Sequence, residues 1–347
     1  MTPRNAARTF HCTFKWNGAS AVKSAGFVLC TLLFFLVPFA GVVQAQAVKL
    51  EDRLATGDHS ANVNGVKFWY AVRGAGPLLI VQAPGWGIGS EYLQNGLAPL
   101  EAHFTLVFYD ARGSGQSGRP ADEKKMSTSD MVDDLEGLRQ YWRLPRITVL
   151  GHSHGGAIAL GYAIRYPKRV KKLILVDSNI QDFNEDAIVQ KELEARKGDK
   201  RFEDAIAEAI KPWPNLQLTT DQEFETYLRR IGPLYFYDPD KYAPLLEKTA
   251  PSLPSVWANH ANAAADAKST IKEDSVMNRV RARTLILVGQ NDWICPPAIA
   301  ERIHAAIRGS KIRTFERTGH FPWIEDAPQF FESVTHFLKE SRRKEGR

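Results

Sequence analysis

The stretch that decides the fold is Ile147-Thr148-Val149-Leu150-Gly151-His152-Ser153-His154-Gly155-Gly156. Its first four residues are apolar or β-branched and predict a short strand, and the small residues that follow the stretch predict a helix. Between the two, the pattern G-x-S-x-G puts Ser153 in a tight turn that needs glycine on both sides to close. We therefore expect an exposed Ser153 hydroxyl at a helix N-terminus, where backbone N–H groups stabilise negative charge on an oxygen.

A base and an acid that could serve this serine occur later in the chain. A serine hydroxyl is a poor nucleophile at neutral pH and needs a base, which is itself oriented by an acid. Asp292 follows the apolar strand pattern at 285–288, and His320 follows the next strand pattern along the chain. The carboxyl ends of parallel strands share one edge of a sheet, so both side chains are predicted to meet Ser153 there. Asp177, at the end of its own strand pattern, is the alternative acid.

Composition and charge are those of an ordinary globular protein. The 347 residues are 44% hydrophobic and 24% charged, which allows one large domain or two small ones. The formal net charge is +6, and residues 1–47 hold four basic residues and no acidic one, so the remainder carries +2. We find no basic stripe with interleaved aromatic residues, and therefore predict no nucleic-acid partner.

The N-terminal segment has the pattern of a secretory signal. Residues 25–43 are uncharged and mostly apolar, basic residues precede them, and Ala45-Gln46-Ala47 has the small-x-small form of a cleavage site. We predict that residues 1–47 are removed and that the protein is secreted or periplasmic. The alternative is a membrane anchor formed by residues 25–43, which are barely long enough to span a bilayer. Pro38 and Gly41 favour the signal because they break a helix there.

The cysteines indicate no disulfide. Cys12 and Cys30 lie in the predicted leader, so a processed chain keeps only Cys295. The sequence also lacks the Cys/His spacing of a metal site. We expect neither a metal nor an organic cofactor.

The rest of the chain alternates between strand and helix patterns, which is typical of a parallel sheet covered by helices on both faces. Val48–Leu54 and Val66–Arg73 are predicted to form an opening hairpin, with Asn64-Gly65 as a turn. Further strands are predicted at 77–81, 105–109, 147–150, 173–176, 284–288 and 311–315.

A helix with one apolar face follows the strand at 105–109. Its predicted N-cap is Ser127 or Ser129, and its apolar face consists of Met131, Leu135, Leu138 and Trp142. In the loop before it, Asp110 and Arg112 are predicted to pair and to hold a glycine-rich turn.

The alternation stops between residues 179 and 280, which are charged and helical in pattern. We predict a helical cap, or lid, at 179–280 over a core made of 48–178 and 281–341. The aromatic residues of the cap either face a mid-sized apolar substrate or form the cap's own core; they are Trp213, Tyr235, Phe236 and Trp257.

From about Val66 to near Lys339 the chain resembles the α/β-hydrolase superfamily. The segment Tyr109-Asp110-Ala111-Arg112-Gly113-Ser114-Gly115-Gln116-Ser117 and the spacing of Asp292 and His320 resemble the proline iminopeptidase-like branch, which comprises serine peptidase family S33 and its esterase relatives. The resemblance implies an α/β-hydrolase fold: a mostly parallel sheet of the eight-stranded type, flanked by helices, with a helical lid insertion.

The same resemblance implies a role for each candidate residue. Ser153 is the nucleophile, His320 the base and Asp292 the acid, and the backbone N–H groups of Trp86 and His154 form the oxyanion hole. For Trp86, the alternative is a plain core aromatic residue.

The expected activity is hydrolysis of an ester or amide bond in a small molecule or short peptide through an acyl-enzyme. A proline iminopeptidase, a carboxylesterase or natural-product tailoring hydrolase, and a non-catalytic binding protein of the same fold are the alternatives. Iminopeptidases carry Trp after the nucleophile, where this chain has His154. They also use cap acids to hold the free amine of the substrate, and Glu223 and Glu225 are candidates for that role by residue type alone.

Overall fold

An eight-stranded sheet organises the chain in the computed structural model, which describes residues 50–211, 218–250, 252–268 and 272–340. The strands are β1 (Gly57–Val63), β2 (Val66–Arg73), β3 (Leu78–Gln82), β4 (Thr105–Tyr109), β5 (Ile147–His152), β6 (Val170–Val176), β7 (Arg283–Gly289) and β8 (Lys311–Phe315). Their order is β1-β2-β4-β3-β5-β6-β7-β8. Strand β2 is antiparallel to both its neighbours, and all other pairs are parallel. The predicted sheet is confirmed.

Helices cover both faces of this sheet. In chain order they are α1 (Glu91–Leu97), α2 (Thr128–Tyr141), α3 (His154–Arg165), α4 (Asp186–Ala195), α5 (Glu203–Ala209), α6 (Asp221–Ile231), α7 (Pro239–Thr249), α8 (Val256–Asp266), α9 (Pro297–Ala306), α10 (Pro322–Glu325) and α11 (Ala327–Lys339). Apolar side chains of α2, α3 and α9 pack on one face, and those of α1 and α11 on the other. Because the central strands are buried on both faces, their sequences are continuous apolar runs.

Helix α2 begins at the first of its two predicted caps. The Ser127 hydroxyl accepts a hydrogen bond from the Asp130 N–H, and the Asp130 side chain accepts one from the Ser127 N–H, which is a capping box. Ser129 lies inside the helix. The predicted apolar face is buried and therefore confirmed.

The first strand of the opening hairpin differs from its prediction. Leu50–Leu54 forms a 3₁₀ turn, and β1 starts only at Gly57; Val48 and Lys49 lie outside the described residues. The charged run Glu51-Asp52-Arg53 has no strand alternation, and the Arg53 carbonyl accepts a hydrogen bond from the Tyr70 hydroxyl at 2.8 Å. The predicted strand at Val48–Leu54 is therefore wrong.

The turn of that hairpin lies where it was predicted. Asn64 and Gly65 join β1 to β2 with positive φ values of 48° and 76°, the conformation of a tight two-residue hairpin turn. Strand β1 is paired only with β2, and its exposed residues are polar, so its hydrophobic signal is weak.

The glycine-rich loop after β4 is held by two separate sets of contacts. The Arg112 guanidinium forms a buried ion pair with Asp134 of α2. Asp110 instead accepts hydrogen bonds from the backbone N–H groups of Ser90 and Gln116, at 2.6 and 2.8 Å. The predicted pair of Asp110 with Arg112 is wrong, because each residue ties the loop to a different element.

Every element described between β6 and β7 is helical. Some of the apolar residues of this segment form a third core, separate from the two sheet faces, which includes Leu193, Phe202, Ile206, Phe224, Ile231, Leu234 and Val256. This helical content agrees with a cap at 179–280, whose exact division from the core at 48–178 and 281–341 stays a prediction.

The predicted leader, residues 1–47, lies outside the described residues. Within the ranges that are described, no helix is both long and apolar enough to cross a membrane. The signal and the anchor therefore both stay predictions.

Candidate active site

Ser153 lies at the sharp turn from β5 into α3. Its backbone has φ 57° and ψ −129°, a region that side chains rarely adopt. Two glycines allow this turn: a Cβ on Gly151 would lie 2.2 Å from the Gly155 carbonyl oxygen, and one on Gly155 would lie 2.4 Å from that of Gln82. The predicted turn is confirmed, and it places a half-buried Ser153 at the start of a helix.

His320 and Asp292 meet at the carboxyl edge of the sheet. His320 follows β8, Asp292 follows β7, and the imidazole Nδ1 lies 2.7 Å from Asp292 Oδ2. Both residues are buried. The other carboxylate oxygen, Oδ1, accepts the backbone N–H groups of Ile294 and Cys295 at 3.0 and 3.1 Å. The Asp292 carboxylate is therefore fixed on both sides and can orient the His320 ring.

Asp177, the alternative acid, does not hold His320. Its Oδ1 accepts the Gly289 N–H at 2.8 Å, at the end of β7. Burial, and then the charge of Asp292, raise the Asp177 pKa well above its ordinary value. Burial thus favours the neutral form of Asp177, whose carboxyl group supports the turn leading to Asp292.

The link from His320 to Ser153 is looser than the link to Asp292. Among the described residues, no hydrogen bond joins the Ser153 hydroxyl to the His320 ring. Such contacts are often long without a substrate and tighten when one binds. Cys295 also lies at this site. Its Sγ is within 4.8 Å of a carboxylate oxygen of Asp292 and of an imidazole nitrogen of His320. The Ser153 side chain interacts with the same thiol.

His152 supports His320 from behind, a role that the sequence did not indicate. The His152 Nε2–H donates to the His320 carbonyl at 2.9 Å, and its Nδ1 accepts from the Tyr92 hydroxyl at 2.8 Å. Burial lowers the His152 pKa well below its ordinary value. The neutral ring therefore braces the His320 backbone and carries no charge next to it.

The two candidate oxyanion donors lie on adjoining segments. The His154 N–H begins helix α3, where a backbone N–H has no partner within the helix. The His154 ring is buried, and its Nδ1 hydrogen-bonds to the Pro84 carbonyl of the loop that carries Trp86. The ring thus fixes the distance between the two donor segments, although sequence reasoning gave weight only to the backbone.

Trp86 has an unusual backbone conformation and is exposed to solvent. Its φ is +55°, and the residue is 41% exposed, which rules out the core-aromatic alternative. Its loop is tied to the cap, since the Ser255 N–H donates to the Gly87 carbonyl at 2.8 Å. No hydrogen bond from the Trp86 N–H occurs within the described part of the chain. That group is free to donate to a ligand.

A family described as the alpha/beta hydrolase fold matches residues 77–327, which is most of the chain. The chain belongs to this family. The match spans both the Ser153 turn and the Asp292–His320 pair, so the fold predicted from these residues is confirmed.

Known proteins similar to this α/β hydrolase include a peptidase and other hydrolases. It is 28% identical over 270 residues to the proline iminopeptidase PfmaB of Pestalotiopsis fici, covering 76% of this chain and 92% of the relative. It is 28% identical over 273 residues to 2-hydroxy-6-oxo-2,4-heptadienoate hydrolase of Pseudomonas putida, covering 76% and 90%. A solved esterase from Exiguobacterium antarcticum has a TM-score of 0.59 at 24% identity, covering 82% of this chain and 100% of that one. The resemblance to the proline iminopeptidase-like branch is confirmed.

The cap of this α/β hydrolase holds the loop of His320. The His320 N–H donates to the Tyr235 carbonyl at 2.8 Å, and the two rings lie 5.3 Å apart. Glu325 joins the same segments: Oε1 accepts the Tyr237 N–H at 3.0 Å, and Oε2 accepts the Gly319 N–H at 2.5 Å. The position of His320 therefore depends on the cap.

The predicted cap aromatics have different surroundings. Phe236 is fully buried against Phe321 and belongs to the core. The Trp257 indole donates to Glu123 at 3.0 Å, while Trp213 lies outside the described residues. Among these residues, Tyr235 is the aromatic side chain that lies beside His320.

The two predicted amine-binding acids have structural partners. Glu223 completes the capping box of α6 with Thr220, and Glu225 pairs with Arg229. A different cap acid, Glu185, has a buried Oε2 without a hydrogen-bond partner in the described chain. Burial, and then the charge of Asp292, raise the Glu185 pKa to about 7. The charge of Glu185 also acts on the Cys295 thiol.

Proposed function

We propose that this α/β hydrolase cleaves an ester or amide bond of a small molecule or short peptide through a covalent acyl-enzyme. In this mechanism Ser153 is the nucleophile, His320 the general base and Asp292 its orienting acid. The observation that carries the proposal is the buried 2.7 Å contact between His320 and Asp292, next to a serine on a strained turn at a helix N-terminus.

The reaction has two halves. The Ser153 oxygen attacks the carbonyl carbon as His320 takes the hydroxyl proton, and the carbonyl oxygen gains negative charge opposite the N–H groups of Trp86 and His154. His320 then gives the proton to the leaving alcohol or amine, and the acyl group remains on Ser153. Water repeats the sequence: His320 takes its proton, the acyl–oxygen bond breaks and Ser153 regains a proton.

The donor geometry supports this division of roles. The contact between the His154 ring and the Pro84 carbonyl joins the first-turn N–H of His154 to the loop that carries Trp86. Preorganised donors of this kind stabilise the tetrahedral intermediate without rearranging during the reaction.

Two substrate classes follow from two different observations. A substrate with a free amine needs an acid beside the site, and the unpartnered Glu185 oxygen could bind an ammonium group there. An ester substrate needs no such group. The ester class is favoured because Glu223 caps helix α6 and Glu225 pairs with Arg229. The likeness to a proline iminopeptidase and to an esterase leaves both classes as proposals.

The deciding experiment compares hydrolysis of a short-acyl p-nitrophenyl ester and a prolyl arylamide by the purified full-length protein. The Ser153→Ala variant should lose turnover of whichever substrate is cleaved, and the exposed Ser60→Ala variant should keep it. Prolyl turnover with a KM that rises in Glu185→Gln would support the amine-binding class. Ester turnover alone, unaffected by Glu185→Gln, would exclude it.

The alternative of a non-catalytic binding protein is tested by covalent labelling. An active nucleophile reacts with a fluorophosphonate at Ser153, since the reagent traps the activated hydroxyl. Labelling that Ser153→Ala abolishes and Ser60→Ala preserves supports the enzyme. Failure of the wild-type protein to label, together with no turnover of either substrate, would contradict the proposed function.

A further inference from the structure

The catalytic edge of the sheet contains a third kind of metal ligand besides the imidazole and the carboxylate. Cys295, Asp292 and His320 are all buried, and one ligand atom from each lies within 4.8 Å of the other two. Around a tetrahedral Zn²⁺ with bonds of about 2.0–2.3 Å, donor atoms stand roughly 3.3–3.8 Å apart. Side-chain movements of about 1 Å would therefore bring the three donors to bonding distance.

We propose that Cys295, Asp292 and His320 form an inhibitory site for a soft divalent transition-metal ion such as Zn²⁺. The set of one thiolate, one imidazole and one carboxylate suits zinc, whereas Mg²⁺ and Ca²⁺ prefer oxygen ligands. Three protein ligands leave a fourth position for water or for the nearby Ser153 oxygen. The inhibitory effect rests on the proposed function, but the binding itself does not.

The charge of the ligands themselves favours a cation. Asp292 Oδ1 already accepts the Cys295 N–H at 3.1 Å, so these two ligand residues are held next to each other. Metal binding displaces the thiol proton, and a divalent ion then neutralises the thiolate and the carboxylate that bind it.

The three ligands lie next to the proposed nucleophile. Ser153 is half-buried, so the turn opens to solvent, and the Cys295 thiol interacts with its side chain. An ion held here would occupy His320, the proposed proton acceptor for Ser153. Turnover would stop because the base is coordinated, without any change in the fold.

The first test measures inhibition by Zn²⁺ of the full-length protein on the substrate that it cleaves. We expect Zn²⁺ to inhibit at concentrations at which Mg²⁺ and Ca²⁺ have no effect. Cys295→Ala should raise the inhibitory concentration by at least about tenfold, since even groups that only hydrogen-bond to a ligand are worth about 10- to 100-fold in affinity. The matched control is His336→Ala, whose ring is exposed; it should behave as wild type.

The second test needs no activity. Titration calorimetry of Ser153→Ala with Zn²⁺ should show a one-to-one site that the double variant Ser153→Ala/Cys295→Ala lacks. Both proteins keep Cys12 and Cys30, so the difference belongs to Cys295. Equal heats for the two proteins, no binding to either, or inhibition that Cys295→Ala leaves unchanged would each overturn the metal site. An inactive wild-type protein that still shows the Cys295-dependent heat would overturn only the proposed function.

Discussion

At the scale of single residues, two buried aspartates lie beside the same turn and have opposite roles. Asp292 contacts the His320 ring at 2.7 Å, and Asp177 accepts a backbone N–H at 2.8 Å. In the proposed mechanism Asp292 orients the base, whereas burial and the neighbouring Asp292 raise the Asp177 pKa and favour its neutral form.

Substitution by asparagine separates the two roles. Asp292→Asn should lower kcat by about 10⁴-fold, because an amide favours the wrong tautomer of the base. Asp177→Asn should keep kcat within about threefold, since it replaces one neutral group with another of the same shape. Kinetics on one ester or arylamide substrate decide the point. An equal loss of kcat in both variants would show that Asp177 also helps to orient His320.

The candidate catalytic residues could be located from the sequence because each follows a recognisable strand. Ser153 needs glycines at fixed positions, and Asp292 and His320 follow successive strand patterns, so all three were expected at one edge of the sheet. His152, Cys295 and Glu325 could not be found in this way. Their contacts join β5, the β7 loop and the cap, and a single sequence does not show which distant segments touch.

At the scale of elements, the loop after β8 depends on a carboxylate from α10. Glu325 accepts hydrogen bonds from Gly319, Tyr237 and Asp238. It thus fixes the residue before His320 to the segment of the cap that follows Tyr235. The Glu325 carboxylate therefore adds to the hydrogen bonds with Tyr235 and His152 that hold His320 itself.

Glu325→Gln should lower kcat and leave KM nearly unchanged. An amide nitrogen cannot accept a hydrogen bond, so one of the two segments loses its acceptor and the His320 loop shifts; a misplacement of about 1 Å costs on the order of 100-fold. The matched control is Glu332→Gln, an exposed glutamate on α11, which should be neutral. A kcat for Glu325→Gln equal to that of the control would contradict this positioning role.

The N-terminus of α4 has an acid that costs stability when it is charged. Burial and Asp292 raise the Glu185 pKa from 4.5 to about 7, so the folded state binds this proton more tightly than the unfolded chain. The free energy of unfolding therefore falls as the pH rises from about 4.5 to about 7, and the loss of stability is complete above that range.

Glu185→Gln should accordingly raise the melting temperature at pH 8 by about 2–4 °C, the shift that about 1 kcal/mol gives in a large domain. At pH 5 the wild-type carboxyl is already protonated, so the two proteins should melt almost together. Glu203→Gln, an exposed acid in the first turn of α5, is the control and should change neither value. A stabilisation of equal size at both pH values would point to packing instead of charge.

The prediction of secondary structure from the sequence was wrong where contacts with distant segments determine the local structure. The strand expected at Val48–Leu54 is a 3₁₀ turn, and the edge strand β1 has a largely polar sequence that pairing with β2 stabilises. The central strand β4 was placed to the residue, since burial on both faces requires an unbroken apolar run. The reliability of a pattern thus follows the amount of apolar surface that it must bury.

At the scale of the whole molecule, the proposed active site lies within residues 48–347, which form one compact unit. The proposed triad, the donor loop and the cap contacts all belong to described residues of that unit. A chain that begins at Val48 should therefore keep the turnover of the full-length protein.

Processing of the leader gives the last prediction. Signal peptidase requires small residues in the first and third positions before the cut, as in Ala45-Gln46-Ala47. Expression of the full chain in a bacterial host should yield a soluble exported product whose N-terminus, read by mass spectrometry, is Val48. Ala47→Arg should block the cut and leave the full-length chain in the membrane fraction, because the apolar segment is then retained. Gln46→Leu changes only the position that the peptidase tolerates, so it should be processed as wild type. A wild-type chain that stays full-length in the membrane would support the anchor at 25–43 and exclude the signal.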